Sequence, residues 1–294
     1  MSIQVPLEES EMTLGPIGKT VATGAEVEWG MVIDYPSPNI GVTVSIDGDS
    51  MLLKSAAMGD IRRLVSEHGV VFLRGMKPMS DTEFERFAGQ LGRIVYHINS
   101  PDVAAIRITQ DVKLSNAVWH TDGTYHELPP QYSVIQAHSL PASGGDTMWA
   151  NAAAAYRSLP DPLRKLADVL SVRHSNDWWR IVNSAPFESV LEAVHPLVQV
   201  IRDTGERALL LGRHAAHIEG FTREDSAALI ELYQRHITSP EHVVRWRWQS
   251  GDIAIWDGRT TQHYAVPDYE EVRQMRRIWI APEERPVGIA DLPN

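Results

Sequence analysis

Cysteine is absent from the 294-residue chain. This absence excludes disulfides, thiolate zinc sites, iron–sulfur clusters and thiol nucleophiles. A bound metal would therefore need histidine, aspartate, glutamate or backbone oxygen as ligands. Basic residues are also fewer than acidic ones: 27 lysines and arginines stand against 38 aspartates and glutamates, which gives a formal net charge of −11. Such a chain is poorly suited to phosphate backbones or anionic lipid, so we expect neither a nucleic-acid partner nor a membrane partner.

Long hydrophobic runs are lacking as well. No stretch of about 18 consecutive apolar residues occurs, so the sequence predicts no membrane-spanning helix. The first residues, MSIQVPLEESEM, have neither the positive start nor the apolar segment of a secretory signal. We therefore expect a cytoplasmic protein.

The composition and length suit a globular enzyme with a substantial core, since 43% of the residues are hydrophobic. Residues 1–30 are polar and weakly periodic, and we interpret them as an N-terminal arm or lead-in. Residues 31–294 are predicted to form a single domain.

Short strand-like segments dominate the second half of the chain. They are rich in β-branched and aromatic residues, and they cover 133–140, 195–201, 243–249 and 252–257. Helices are predicted from Asp60 to Gly69, from Ser80 to Gly92, from Asn151 to Leu170 and from about Thr222 to Ile237. Because strands and helices do not alternate regularly, the pattern favours an antiparallel sandwich or jelly roll over a Rossmann sheet.

Two histidines and an aspartate are candidate metal ligands. His120 and Asp122 are two residues apart, and such residues point to the same side of a strand. His263 follows the strand-like run GDIAIWD and a short polar turn. Taken separately, each feature is weak, because a hydrogen-bonded histidine at the end of a strand is common.

Arginines cluster near the C-terminus of the chain. Arg273, Met275 and Arg277 would share one face of a strand, with Arg276 on the other. Two imidazoles and a carboxylate on one side of an iron ion leave three coordination positions open. A 2-oxo acid can fill two of them and O₂ the third. The distal carboxylate of that acid then needs a planar, bidentate partner, which arginine supplies.

Several motifs in this order resemble the taurine/alkylsulfate dioxygenase family of Fe(II)/2-oxoglutarate oxygenases, which also contains phenoxyalkanoate-degrading enzymes. The resemblance extends over about residues 55 to 281. The matching stretches are HGVVFLRG (68–75), WHTDGTYHELPP (119–130), LPASGGDTMWANAAAAY (140–156), HPLV (195–198), RWRWQSGDIAIWDGRTTQHYAVPDY (245–269) and RQMRR (273–277).

The resemblance implies a mainly β fold with flanking helices around a double-stranded β-helix, the jelly-roll core also found in cupins. It implies that His120, Asp122 and His263 hold Fe(II). By the same resemblance, Thr147 and Arg277 bind the carboxylate of the cosubstrate 2-oxoglutarate, with Arg273 as a second basic residue nearby. The expected reaction consumes O₂ and releases succinate and CO₂.

Substrate contacts are also implied by the resemblance. His97 and Asn116 match substrate-contacting positions, and Arg277 is a further candidate. Trp178 and Trp179 lie in a segment that carries a mobile lid in relatives and is shorter here, and we expect one of them to line the pocket. The polar contacts indicate a small organic anion: an alkyl sulfate, a sulfonate or an aryloxyalkanoate.

Three alternatives remain open at this stage. The chain could be a tailoring hydroxylase of secondary metabolism from the same family. It could be a cupin-like binding protein with a structural metal, which would not need the arginine pair, or a zinc hydrolase, which would not need O₂. Relatives are often dimers or tetramers, so we expect a homo-oligomer, with the N-terminal arm available for an interface.

Overall fold

The computed structural model describes residues 26–27, 31–46, 55–96, 106–108, 117–177 and 190–292. Within these ranges the helices are α1 Ser55–His68, α2 Asp81–Gly89, α3 Ala152–Ser158, α4 Asp161–Ala167 and α5 Arg223–Ile237, with short 3₁₀ turns at Pro240–His242 and Ile289–Asp291. None of these helices is both long and apolar enough to cross a membrane.

Seventeen strands are found in the same ranges. They are β1 Glu26–Val27, β2 Met31–Asp34, β3 Val42–Ser45, β4 Val70–Arg74, β5 Ile94–Val95, β6 Ile106–Ile108, β7 Tyr132–Ser139, β8 Thr147–Asn151, β9 Ser171–Ser175, β10 Glu192–Pro196, β11 Val198–Val200, β12 Arg207–Leu209, β13 Ala215–Ile218, β14 Val243–Trp246, β15 Ile253–Asp257, β16 Thr261–Ala265 and β17 Gln274–Ile280.

The strands form one large sheet and three small ones. The large sheet runs in the order β1-β2-β3-β4-β15-β7-β17-β5, and β6 also pairs with β17. Only β3 and β4 are parallel neighbours in it. A three-stranded sheet, β14-β8-β16, provides the opposing layer of the jelly roll, and β10-β9-β13 and β11-β12 extend the structure.

The alternation of side chains along β4 explains how the large sheet is buried on both faces. Val70 and Phe72 point into the core shared with the small sheet. Val71 and Leu73 point the other way, into a cluster formed with α1 and α2. This two-residue period is the geometry of a strand, and burial of apolar surface on both faces stabilises the sheet.

Aromatic rings fill the space between the large sheet and β14-β8-β16. Phe72 stacks on Trp246 with ring centroids 4.2 Å apart and planes within 2°. Trp149, fully buried, lies edge-on to Phe72 at 5.2 Å and to Trp256 at 5.6 Å. These contacts hold the two layers together beside the strands that carry the site.

Helices cover the outer face of the small sheet β14-β8-β16. The alanine-rich α3 packs with α5 and the strands around it, and Tyr233 of α5 is fully buried there. The Tyr233 hydroxyl donates a hydrogen bond to the Leu163 carbonyl at 2.9 Å, which satisfies the buried oxygen. Thr222 caps α5 by accepting a bond from the Asp225 N–H.

Helix and strand boundaries differ from several of the sequence predictions: α1 begins at Ser55 rather than Asp60, and the strand predicted over 243–249 ends at Trp246. The helix predicted over Asn151–Leu170 is two helices, because Pro160 cannot supply a helical N–H and the chain is extended there. The predicted strand 195–201 is divided at Leu197 between two sheets. The helix opened by the Ser80 capping box ends at Gly89, before Gly92.

Candidate metal centre

Three buried side chains converge where β16 meets the segment before β7. His263 lies in β16, and its backbone forms an antiparallel bridge with His120. Asp122 follows two residues after His120. The Nε2 atoms of His120 and His263 lie 3.8 Å and 3.9 Å from Asp122 Oδ1. The structure therefore brings together the three residues that the sequence predicted as a metal site.

The two histidines are held as neutral ligands. His120 Nδ1 lies 2.8 Å from the Val118 carbonyl, so Nδ1 carries the proton and Nε2 keeps its lone pair for a metal. Burial lowers the pKa of His120, and burial together with the neighbouring His120 lowers the pKa of His263 well below its usual value. The His263 ring packs on Trp256 at 4.9 Å.

Asp122 is fixed by three donors. Its Oδ2 accepts bonds from the Ser133 hydroxyl at 2.8 Å and the Trp279 indole at 3.1 Å. Its Oδ1 accepts from Arg277 Nη1 at 2.8 Å. Burial alone would raise the pKa of Asp122, but Arg277 and the two site histidines, with the Ser133 bond, hold it well below the ordinary value. Ser133 and Trp279 were not predicted from the sequence as parts of the site.

The donor set fits a ferrous ion. Two imidazole nitrogens and a carboxylate leave part of the coordination sphere open for a chelating cosubstrate and O₂. All three residues are at most 6% exposed, and a buried carboxylate among nitrogen lone pairs is well suited to a cation. Among the described residues, this is the one group of three or more His, Asp or Glu side chains with metal-binding spacing.

A second polar cluster surrounds Thr147 at the start of β8. Its hydroxyl oxygen accepts bonds from the Trp248 indole at 3.0 Å and from Arg273 Nη2 at 3.1 Å. Arg273 Nε donates to the Gly145 carbonyl at 2.7 Å. Arg273 is only 4% exposed, and burial lowers the pKa of its guanidinium. In the described part of the chain, no carboxylate forms an ion pair with it.

The two arginines therefore occupy different places. Arg273 contacts Thr147, whereas Arg277 contacts Asp122 and lies 4.9 Å from the centre of the Trp279 ring. Arg276 points to the opposite face, as predicted, and donates to the Met79 carbonyl.

A further histidine, His214, lies beside the triad. His214 lies edge-on to His120, with ring centroids 6.3 Å apart, and also packs on Tyr125 at 4.9 Å. Burial, and next the neighbouring His120, lowers the pKa of His214 to about 4. His214 was not predicted from the sequence as part of this site, yet it lies beside it. The predicted substrate contacts His97, Asn116, Trp178 and Trp179 lie outside the described residues.

The jelly roll and its buried His-Asp-His site define a class of proteins, the non-haem iron dioxygenases. Residues 33–279 match the family described as "Taurine catabolism dioxygenase TauD, TfdA family". The chain belongs to this family and is an Fe(II)- and 2-oxoglutarate-dependent dioxygenase, with the double-stranded β-helix fold that the sequence predicted.

Curated relatives and solved structures agree with this assignment. The chain is 41% identical over 268 residues to an "Alpha-ketoglutarate-dependent sulfate ester dioxygenase" of Pseudomonas putida, covering 85% of this chain and 87% of the relative. It is 36% identical over 262 residues to an "Alkylsulfatase" of Acinetobacter baylyi, covering 83% of each. A taurine dioxygenase structure from Burkholderia xenovorans superposes with a TM-score of 0.76 at 30% identity, covering 89% of this chain and 92% of that one.

Proposed function

We propose that this dioxygenase cleaves alkyl sulfate esters by hydroxylating the carbon that bears the sulfate oxygen. The reaction type is supported by the buried His-Asp-His triad together with the buried Arg273, which has no carboxylate partner among the described residues. The substrate class is supported by the two relatives named for sulfate esters, which share 41% and 36% identity with the chain.

His120, Asp122 and His263 are the proposed Fe(II) ligands. An iron ion held there would supply the oxidant from O₂ while 2-oxoglutarate is converted to succinate and CO₂. The chain contributes neutral imidazoles, since burial lowers both histidine pKa values. It also contributes an ionised Asp122 whose orientation is fixed by the Ser133 hydroxyl and the Trp279 indole.

Thr147 and Arg273 are the proposed partners of the distal 2-oxoglutarate carboxylate. The Thr147 oxygen already accepts two hydrogen bonds, so its own proton remains available to a carboxylate. A buried guanidinium is costly until an anion pairs with it, and Arg273 is oriented by the Gly145 carbonyl. The contacts favour Arg273, rather than the initially predicted Arg277, as the carboxylate partner that acts with Thr147.

Arg277 is proposed to bind an anionic group close to the metal. Its guanidinium already lies against Asp122 and over Trp279, and 13% of its side chain is exposed. A cation at this place can attract the inner carboxylate of the cosubstrate or the sulfate group of the substrate. His97, Asn116, Trp178 and Trp179 remain proposed substrate contacts.

The proposed reaction balances without a further reductant. One oxygen atom of O₂ enters succinate as 2-oxoglutarate loses CO₂, and the other becomes a hydroxyl on the substrate carbon. The resulting carbon carries both hydroxyl and sulfate ester oxygen. It collapses to an aldehyde and inorganic sulfate, with loss of one proton.

The test is a substrate panel with Fe(II), 2-oxoglutarate and O₂, in which succinate and sulfate are both quantified. We expect hexyl sulfate to give equal amounts of succinate, sulfate and hexanal, and hexanesulfonate and phenoxyacetate to give less succinate. His263→Ala should abolish turnover, and Arg273→Leu should raise the 2-oxoglutarate KM by at least about tenfold, because a charge-assisted pair is lost.

Each alternative has its own outcome in the same assay. Sulfate release without O₂ would indicate a hydrolase. If no substrate of the panel led to succinate formation, a tailoring hydroxylase would be favoured. Failure of the iron-loaded protein to consume O₂ under any condition would favour a binding protein. A wild-type 2-oxoglutarate KM in Arg273→Leu would refute the assignment of the carboxylate partner.

We also propose a cytoplasmic homo-oligomer, a dimer or tetramer, in which residues 31–294 form one domain. The family match over residues 33–279 supports the single domain. Light scattering at micromolar protein concentration would give the oligomeric state, and a monomer would contradict it.

A further inference from the structure

An ion triad ties together the three segments that surround Arg273. Arg245 of β14 donates from Nε to Asp146 Oδ2 at 2.6 Å and from Nη2 to Asp268 Oδ2 at 3.0 Å. Asp146 directly precedes β8, and Asp268 follows β16. The Arg245 guanidinium therefore joins all three strands of the β14-β8-β16 sheet at the end where Thr147 lies.

The triad continues into the backbone that orients Arg273. Asp268 Oδ1 accepts a bond from the Gly145 N–H at 2.8 Å, and the Gly145 carbonyl accepts from Arg273 Nε at 2.7 Å. Although partial burial opposes it, this N–H and Arg245 hold the pKa of Asp268 below its ordinary value. The carboxylate is therefore ionised at neutral pH and remains a strong acceptor.

The turn at Gly144 and Gly145 packs closely against both Asp268 and Arg273. Gly144 and Gly145 have φ of +76° and +71°, which favours glycine. A Cβ on Gly145 would lie 2.9 Å from Arg273 Cδ, and one on Gly144 would lie 2.2 Å from the Asp268 carbonyl oxygen. The turn thus packs directly between Asp268 and Arg273, so a shift of one is transmitted to the other.

We propose that Asp268, braced by Arg245, is a positioning residue that sets the affinity for 2-oxoglutarate by aiming the Gly145 carbonyl and, through it, Arg273. This inference rests on the proposed role of Arg273. The side chains of Asp268 and Arg245 are 46% and 49% exposed, and surface ion pairs of this kind contribute little to stability. A purely structural role therefore predicts almost no effect on ligand binding.

The experiment measures binding as well as turnover. The Mn(II)-loaded enzyme, without O₂, is titrated calorimetrically with 2-oxoglutarate, and steady-state kinetics are recorded with Fe(II) and hexyl sulfate. We expect Asp268→Ala to raise the Kd and KM for 2-oxoglutarate about tenfold, as for one lost bond to a charged group. The KM for hexyl sulfate and the kcat at saturating 2-oxoglutarate should stay within about twofold of wild type.

Two further variants test the mechanism. Asp268→Asn keeps an oxygen acceptor for the Gly145 N–H but loses the ion pair, so its Kd should lie between those of wild type and Asp268→Ala. Arg245→Gln should raise the same Kd, and in the double variant with Asp268→Ala the two effects should be less than additive, because the two side chains contact each other. Glu206→Gln, which breaks the exposed Arg157–Glu206 pair on the helical side, is the matched control and should bind 2-oxoglutarate like wild type.

The outcomes separate this proposal from the proposed function. If Arg273→Leu loses 2-oxoglutarate binding while Asp268→Ala retains the wild-type Kd, the positioning role is wrong and Arg273 keeps its assignment. If both variants bind like wild type, both assignments fail. Equal losses for 2-oxoglutarate, hexyl sulfate and Mn(II) in Asp268→Ala would reveal general disruption and would also overturn the proposal.

Discussion

At the scale of single residues, the orientation of Asp122 is the most constrained feature of the site. The Ser133 hydroxyl and the Trp279 indole bind Oδ2 from two strands of the large sheet. That leaves Oδ1 facing the two imidazole Nε2 atoms. Hydrogen-bonding partners of this kind orient a metal ligand before the metal arrives.

Removal of the Ser133 hydroxyl should weaken metal binding. Ser133→Ala leaves Oδ2 with the Trp279 bond alone, so we expect the Kd for Fe(II), or for Mn(II) as a stable substitute, to rise by about tenfold. Anaerobic metal titration of the apo-enzyme measures it. Ser139→Ala is the control, because Ser139 lies exposed at the far end of the same strand. An unchanged Kd in Ser133→Ala would show that Trp279 and Arg277 are sufficient to orient Asp122.

Residue spacing alone gave only a weak signal for His120 and Asp122, which lie in a bridge and in the turn after it rather than in a strand. His263 was added by chemistry and resemblance. Ser133 and Trp279 gave no local signal, since their contact with Asp122 depends on how β7 pairs with β17. The separate contacts of Arg273 with Thr147 and of Arg277 with Asp122 were also beyond sequence reasoning, because the ladder shifts register between Gln274 and Met275.

At the scale of elements, the segment after β12 passes directly against the metal site. The Arg213 N–H donates to the Trp119 carbonyl at 2.9 Å, which fixes this segment beside His120. Gly212 lies at the closest approach with φ of +107°. A Cβ there would be 2.9 Å from the His120 Cα and 3.2 Å from the Thr121 nitrogen.

Gly212→Ala should therefore damage both stability and metal binding. The positive φ alone costs about 1–2 kcal/mol for alanine, and contact with the His120 backbone adds to it. Gly205→Ala provides a matched control, since Gly205 has φ of +74° but nothing within 4 Å of the position that an added methyl group would occupy. We expect both variants to lower the free energy of unfolding, measured in urea, and only Gly212→Ala to raise the Kd for Mn(II). Equal behaviour of the two variants would mean that the contact relaxes freely.

The elements themselves were largely predictable where the pattern is local. Short β-rich segments predicted β7, β14 and β15, and capping residues ahead of an apolar pattern predicted α2. The pairing of β14 and β16 with β8 was not predictable, because the residues in contact are about a hundred positions apart. The division of 195–201 between two sheets likewise depends on long-range partners.

At the scale of the whole molecule, buried neutral histidines connect the metal-site segment to the sheet beside it. His174 is fully buried, and its Nδ1 lies 2.9 Å from the Thr124 hydroxyl. His195 Nε2 lies 2.8 Å from the Thr124 carbonyl and 3.1 Å from that of His126. Burial lowers the pKa of His195, and burial followed by repulsion from His195 lowers the pKa of His174. Protonation of either imidazole is therefore unfavourable in the folded protein.

Acid should destabilise the apo-enzyme before its carboxylates titrate. His174, His195 and His214 have folded pKa values below the unfolded value of 6.5, about 4 for His214. The unfolded chain therefore binds more protons, and the free energy of unfolding should be fully developed above pH 6.5 and fall as pH drops from 6.5 toward 4. Asp122, with its lowered pKa, should add a loss only below pH 3.8. Urea unfolding from about pH 7.5 to about pH 4.5 measures this slope, and His174→Gln, which cannot titrate, should reduce it. A stability that stays flat over this interval would show that folding does not lower the pKa values of these imidazoles, and one that increases as the pH drops would show that folding raises them.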